Sequence, residues 1–324
     1  MKQEVFENKY AEVWREFEQW LDRPRSSSAS AAATLAEADV PARYRRICQH
    51  LALARDRAYS ADLTERLNAL VLRGHHVLYG ATGERKALAL SFLYSGFPQL
   101  VRAEAKRVAI AAVLFFGPLA GIVLALQFFP DFVYYLLSPE NVAQMEKMYS
   151  PSAERLGARA AENDLSMFGF YIWNNVKIGF QTFAMGLTFG IGTVAFLLFN
   201  GIHIGAAAGH LIEIGYTEPF FSFVSGHSAF ELTAIVLSGA AGLKLGGALI
   251  SPGQLTRKAA LIAAAREASR LAYGAGLLFV AAAFIEGFWS PHRAVAAPAK
   301  YLIGIMLWLA VIAYFTLLGR GRES

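Results

Sequence analysis

Eleven polar residues lie in or at the edge of apolar segments within one stretch of the chain: Asn174, Asn175, Lys177, Gln181, Asn200, His203, His210, Glu213, His227, Glu231 and Lys244. Ionisable groups at membrane depth are costly, so they face a bundle interior or a water-filled cavity and pair with one another. His227 and Glu231 are four apart and share a face if a helix begins by Gly226. His203 and His210, seven apart, share another face, with Glu213 beside His210. Such a set could order a helical bundle and a ligand or partner surface through hydrogen bonds, which is the leading reading. It could instead relay a proton or ion, which is the second. The spacing matches neither HExxH nor a zinc-ligand pattern, so no metal site and no cofactor is expected. The pocket should be walled by Phe220, Phe221, Phe223 and Trp173.

Nothing in the chain resembles a Ser-His-Asp order, a nucleotide-binding loop or a pair of catalytic acids. No catalytic residue is therefore assigned. An intramembrane hydrolase ranks third, behind a scaffold and a transporter.

These residues need elements to hold them, and composition says which kind. Of 324 residues, 55% are hydrophobic and 17% charged, and the mean hydropathy is +0.37. A bilayer absorbs that apolar surface, because ~20 apolar residues span its hydrocarbon core. The expected fold class is all-α, a polytopic helical membrane protein with a helical cytosolic N-terminal region. The net charge of +5 comes from bases beside the apolar segments, which suits anionic lipid and excludes a nucleic-acid partner. The lone Cys48 forms no intrachain disulfide. Met1 to Trp20 is charged and amphipathic, so no cleavable signal peptide is expected there.

Six crossings are expected, near 108–126, 176–199, 201–214, 229–250, 271–288 and 301–318. The third is short or re-entrant, since fourteen residues rise only ~21 Å. Residues 41–107 carry twelve bases against five acids, and 130–167 carry six acids against three bases. That asymmetry places 130–167 outside and both termini in the cytoplasm of a cell membrane of bacterial inner-membrane type. Before the first crossing, 1–95 reads as a cytosolic helical region with a serine-rich linker near 26–33. Residues 96–107 read as an interfacial elbow turning at Phe97, because Pro98 follows it. Within 1–95, Phe6, Tyr10, Trp14 and Phe17 form an aromatic stripe, read as a packing face.

Small residues recur every four positions: Gly186 and Gly190; Gly201, Gly205 and Gly209; Ser238, Gly242 and Gly246. Such stripes let helices approach closely in lipid. They are expected to pack the second, third and fourth crossings on one another, with a homo-oligomer seam as the second reading.

Asn174-Asn175 ahead of a Gly-rich helix, the Asn200-Gly201 turn with Gly205, and Gly226-His227 followed by Glu231-Leu232 resemble the stage II sporulation protein M family over about residues 98–290. The resemblance implies an integral membrane protein, linked in sporulating bacteria to a complex with peptidoglycan-cleaving enzymes, with more widely distributed relatives of unclear role. It marks Asn174, Asn175, Asn200, Gly201, Gly226, His227 and Glu231 as the motif positions. The reading is a membrane scaffold whose partners are the lipid bilayer and other membrane or envelope proteins, using the outer loop and the cytosolic helices as docking faces. The alternative is a permease moving a proton, ion or small solute through a His/Glu/Lys-lined pocket.

Overall fold

The structure, a computed structural model, describes residues 2–22, 39–79, 88–153, 155–157 and 164–320. The chain is 85% helical and without strands among the described residues, and it is an all-α polytopic membrane protein. It divides into two units, Met1–Leu90 and Ser91–Ser324. The serine-rich linker and the tail carrying Arg322 lie outside the described residues.

The first unit contains α1 (Gln3–Leu21), α2 (Val40–Asp56) and α3 (Ala61–Tyr79). Helix α2 starts with Pro41 in its first turn, where a missing N–H costs nothing. The aromatic stripe of α1 is a core face: Phe6, Trp14 and Phe17 are buried against Ile47, Leu51, Leu67 and Leu70. Inside that core the Trp14 indole N–H donates to His50 Nδ1 at 3.0 Å.

The second unit opens with a π-turn (Phe92–Gly96) and α4 (Phe97–Ala103). The expected turn at Phe97 does not occur. Pro98 sits in the first turn of α4, and the chain leaves helical geometry at Glu104, with φ −95° and ψ 17°. Next come α5 (Ala105–Phe128), the one-turn α6 (Val133–Leu136), α7 (Pro139–Met148) and α8 (Asp164–Ala184). They are followed by α9 (Ile191–Glu213), α10 (Thr217–Val224), α11 (Ser228–Ile250), α12 (Arg257–Phe288) and α13 (Ala297–Leu317). Among the described residues, α5, α9, α11, α12 and α13 are long and apolar enough to cross a membrane. Helix α11 is the centre of the bundle, 61% buried over its apolar window, and α5 is its rim at 11%.

Two expected boundaries change. Residues 176–199 are not one helix: α8 ends at Ala184, a 3-10 turn covers Met185–Leu187, and α9 starts after Phe189 and Gly190, both at positive φ. Nor is Asn200-Gly201 a turn. It lies inside the 23-residue α9, where the Asn200 amide donates to the Phe196 carbonyl at 2.7 Å. The short third segment, 201–214, is thus mostly the second half of a full-length helix.

Helix α8 lines up with the bundle although Asn174, Asn175, Lys177 and Gln181 make it less apolar. Its Phe168 lies against Gly287 and its Gly179 against Phe279, so α8 runs antiparallel to α12. With the five apolar helices it makes six long helices among the described residues of the unit.

The glycines show how the bundle closes. A side chain on Gly186 would collide with the main chain of Gly242, and one on Gly246 with that of Gly190. The stripe Gly201, Gly205 and Gly209 turns elsewhere than expected, packing on Phe115, Leu119 and Val123 of the first crossing, α5. Since both series rise together, α5 and α9 are parallel neighbours. Small residues permit this approach, and dispersion contacts hold it.

Candidate functional site

One end of the bundle holds a cavity of about 760 Å³. Its walls come from α8, α9, α11, α12 and α13, and α7 contributes Asn141, Gln144, Met145 and Met148. Helix α7 is tied to α9 by His210 Nε2 and Glu146 Oε1 at 2.8 Å. It begins with Ser138 accepting from the Asn141 N–H at 3.3 Å and has Pro139 in its first turn.

Three ionisable side chains meet in the cavity wall. His227 precedes the first turn of α11, and Glu231 is one turn on, so the helical period puts Nε2 and Oε2 3.7 Å apart. Glu286 enters from α12, its carboxylate accepting from Asn175 Nδ2 at 3.3 Å. Asn174 donates in turn to Asn175 Oδ1 at 3.0 Å. The ligand-capable atoms of His227, Glu231 and Glu286 all lie within 4.8 Å of one another.

A second layer holds these groups. His227 Nδ1 lies 3.0 Å from Ser290 Oγ, and its ring meets Phe223 edge-on at 5.3 Å. Lys300, 1% exposed, donates to the Ser290 carbonyl at 2.8 Å and stands over the Trp289 ring at 5.4 Å. Trp308 donates to Ser228 Oγ at 3.2 Å. Gly226 allows the Trp289 ring against the turn before α11, and Gly304 lets α13 approach the Ser225 carbonyl.

The structure gathers some expected site residues and disperses others. Asn174, Asn175, His203, His227 and Glu231 line the cavity, as do Phe220, Phe221 and Phe223. His203 is at an exposed part of its wall, its ring stacked on Phe199 at 5.8 Å. His210 is buried on the α7 tie. Lys177 and Glu213 are exposed, Asn200 is capped within its own helix, and Trp173 is 70% exposed. None of these four is among the cavity residues. Lys244 is thirteen residues beyond Glu231 on α11, ~20 Å along the axis. There it pairs with Glu104 and Glu267, and Arg107 joins Glu104 at 2.6 Å. Glu104 sits just before the first crossing. Burial would raise its pKa, but hydrogen bonds from Lys244 and Arg107 outweigh burial and hold it below the usual carboxylate value.

Glu286, Ser290 and Lys300 were not singled out in the sequence. Glu286 carried the same signal as Glu231, an acid inside an apolar helix, but with no partner one turn away on that helix. Lys300 reads as a loop residue until α13 is seen to start at Ala297.

A family model described as stage II sporulation protein M matches residues 110–291. The chain belongs to that family. The matched span includes Asn175, His227, Glu231, Glu286 and Ser290, so the stage II sporulation protein M match covers nearly all of the polar wall. A second model, described as a domain of unknown function (DUF8413), matches residues 4–80, within the first unit. The uncharacterized protein MJ0793 of Methanocaldococcus jannaschii is 32% identical over 82 residues, 24% of this chain and 44% of that protein. The chain therefore spans less than half the length of this curated relative. No solved structure matches the chain.

Proposed function

We propose that this stage II sporulation protein M family member is a cell-membrane assembly component of the envelope, with a binding pocket that opens on one side only. The observation that carries this reading is the apolar layer of α11 between its two polar ends. Ala234, Ile235, Leu237, Ala240 and Ala241 are buried there, packed with Leu197 and Phe279. Hydration of a path through this layer would need helices to separate that now touch through their glycines. The cavity also has aromatic and apolar walls around a few converging polar groups, as sites for organic ligands do. By resemblance, partners are envelope proteins of the peptidoglycan-remodelling type, docking on the α6–α7 segment and on the first unit.

The second reading, transport of a proton, ion or small solute, is favoured by the buried acids themselves. One experiment separates the two. The full chain is cross-linked in its native membrane and its partners identified, and the purified chain is reconstituted in liposomes for proton and ion flux. The assembly role expects specific partners and flux no greater than in empty liposomes. Flux abolished by Glu231→Gln or Glu286→Gln in folded protein would replace it with transport.

A further inference from the structure

Two carboxylates and an imidazole converge in the cavity wall, and the chemistry of that trio goes beyond an ordering network. Ser290 Oγ occupies the Nδ1 side of His227 at 3.0 Å, so Nε2 is the nitrogen turned to Glu231. With Nδ1–H donating to Ser290, Nε2 offers a lone pair toward a carboxylate, and Glu286 adds further lone pairs within 4.8 Å. Acceptors crowded in such a wall repel unless a proton or a cation lies between them. The buried Lys300 ammonium is directed to the Ser290 carbonyl.

From this geometry we propose that His227 Nε2, Glu231 and Glu286 hold one divalent transition-metal ion of the zinc or manganese class. Two ligand atoms of a tetrahedral ion with ~2.1 Å bonds stand ~3.4 Å apart, close to the 3.7 Å between His227 and Glu231. A modest inward movement of Glu286 completes three ligands. The set of one imidazole and two carboxylates suits borderline zinc and the harder manganese better than soft copper(I), which prefers sulfur. Ser290 and Asn175 do what outer partners of a metal site do: one fixes the ring orientation, the other the carboxylate. A fourth position faces the cavity, where water or an anionic oxygen of a ligand would complete the shell. The spacing of His227 and Glu231 alone could not disclose this site, because its third ligand comes from another helix 55 residues later.

This inference deepens the pocket reading above and rests on it. The test uses the purified full chain, stripped with a chelator and dialysed against Zn²⁺ or Mn²⁺, with metal content and affinity measured. One ion per chain is expected. Glu231→Gln and Glu286→Gln, which keep shape and hydrogen bonding, should abolish it. Asn175→Ala should weaken it by about 10–100-fold, and Glu213→Gln, outside the cavity, should leave it unchanged. Cobalt substitution gives an independent readout: absorption shifted and intensified relative to aqueous cobalt in the parent supports the site, and a hexa-aqua spectrum overturns it whether or not a variant folds. Absence of saturable binding in the parent, or equal metal in the parent and folded Glu286→Gln, overturns it as well. No partner is needed in this assay, so its failure leaves the assembly role standing, and loss of partners on cross-linking leaves the metal site standing.

Discussion

Lys244 and Glu104 close an ion pair at the far end of α11 from the cavity, and Glu104 is 6% exposed. Arg107 still faces Glu104 when Lys244 is removed, so Lys244→Met should cost the charged hydrogen bond rather than the whole pair, about 1.5–3 kcal/mol. Glu267 is 53% exposed, and Glu267→Gln should cost at most about 1 kcal/mol. Thermal unfolding of the two purified variants distinguishes them. Since the folded pKa of Glu104 is depressed, its contribution is present above the unfolded carboxylate value and is lost as pH falls through the folded one.

A substitution at Gly205 should be felt through α5. A Cβ there would stand 2.7 Å from the Leu119 carbonyl, whereas one at Gly117 meets nothing within 4 Å. Gly205→Leu should therefore force α5 and α9 apart and lower the monodisperse fraction in size-exclusion chromatography. Gly117→Leu should purify like the parent. Equal behaviour of both would refute the packing role of the stripe.

The first unit should be acid-sensitive at His50. Burial lowers the pKa of this ring, and Arg46 adds to the effect. The folded state thus keeps His50 neutral, accepting from Trp14. Its contribution is complete above the unfolded value near ~6.5 and declines as pH falls below it, by at most about 1.4 kcal/mol per pH unit. Hydrogen exchange of α1 and α2 in the full chain at pH 7.5 and pH 5.5 reads the change. His50→Gln should flatten the slope, and a slope unaltered by it would assign the acid sensitivity elsewhere.

The tie between His210 and Glu146 should hold α7 in place. Glu146→Ala removes one hydrogen bond, worth about 0.5–1.5 kcal/mol. Exchange in residues 139–148 should then accelerate several-fold, with α11 unaffected. Uniform acceleration through the bundle would mean that the tie supports the fold as a whole.

Orientation is testable with single cysteines in a Cys48→Ser background. The proposed topology expects a membrane-impermeant reagent to label a cysteine at Asn141 in intact cells and to miss one at Arg320. The reverse pattern would invert the bundle.

Most of the long helices were legible because apolar length and charge asymmetry are properties of the chain itself: 229–250 is nearly α11, and 301–318 nearly α13. The break at 185–190 was not, because Phe189 and Gly190 take positive φ inside a run whose one polar residue, Thr188, is a weak turn signal on its own. Asn200-Gly201 misled for the opposite reason. It has the composition of a turn, but the helix satisfies the amide internally and uses the glycine against α5. In the site, His227 and Glu231 were readable from local spacing. Glu286 is brought to them by packing of α12 on α11, and Lys244 is carried away by the length of a straight helix.

The parallel pairing of α5 and α9 has a consequence for biosynthesis. The two helices cannot enter the membrane as a hairpin, since the whole α6–α8 stretch must be made between them. At ~5–20 residues per second, the interval from Phe128 to Ile191 lasts roughly 3–13 s. For that time α5 must wait among lipids with Leu119 and Val123 uncovered. Its strongly apolar surface, only 11% buried even in the finished bundle, makes it stable as an isolated span, so the nascent chain can hold its first helix in reserve until the glycine face of α9 arrives.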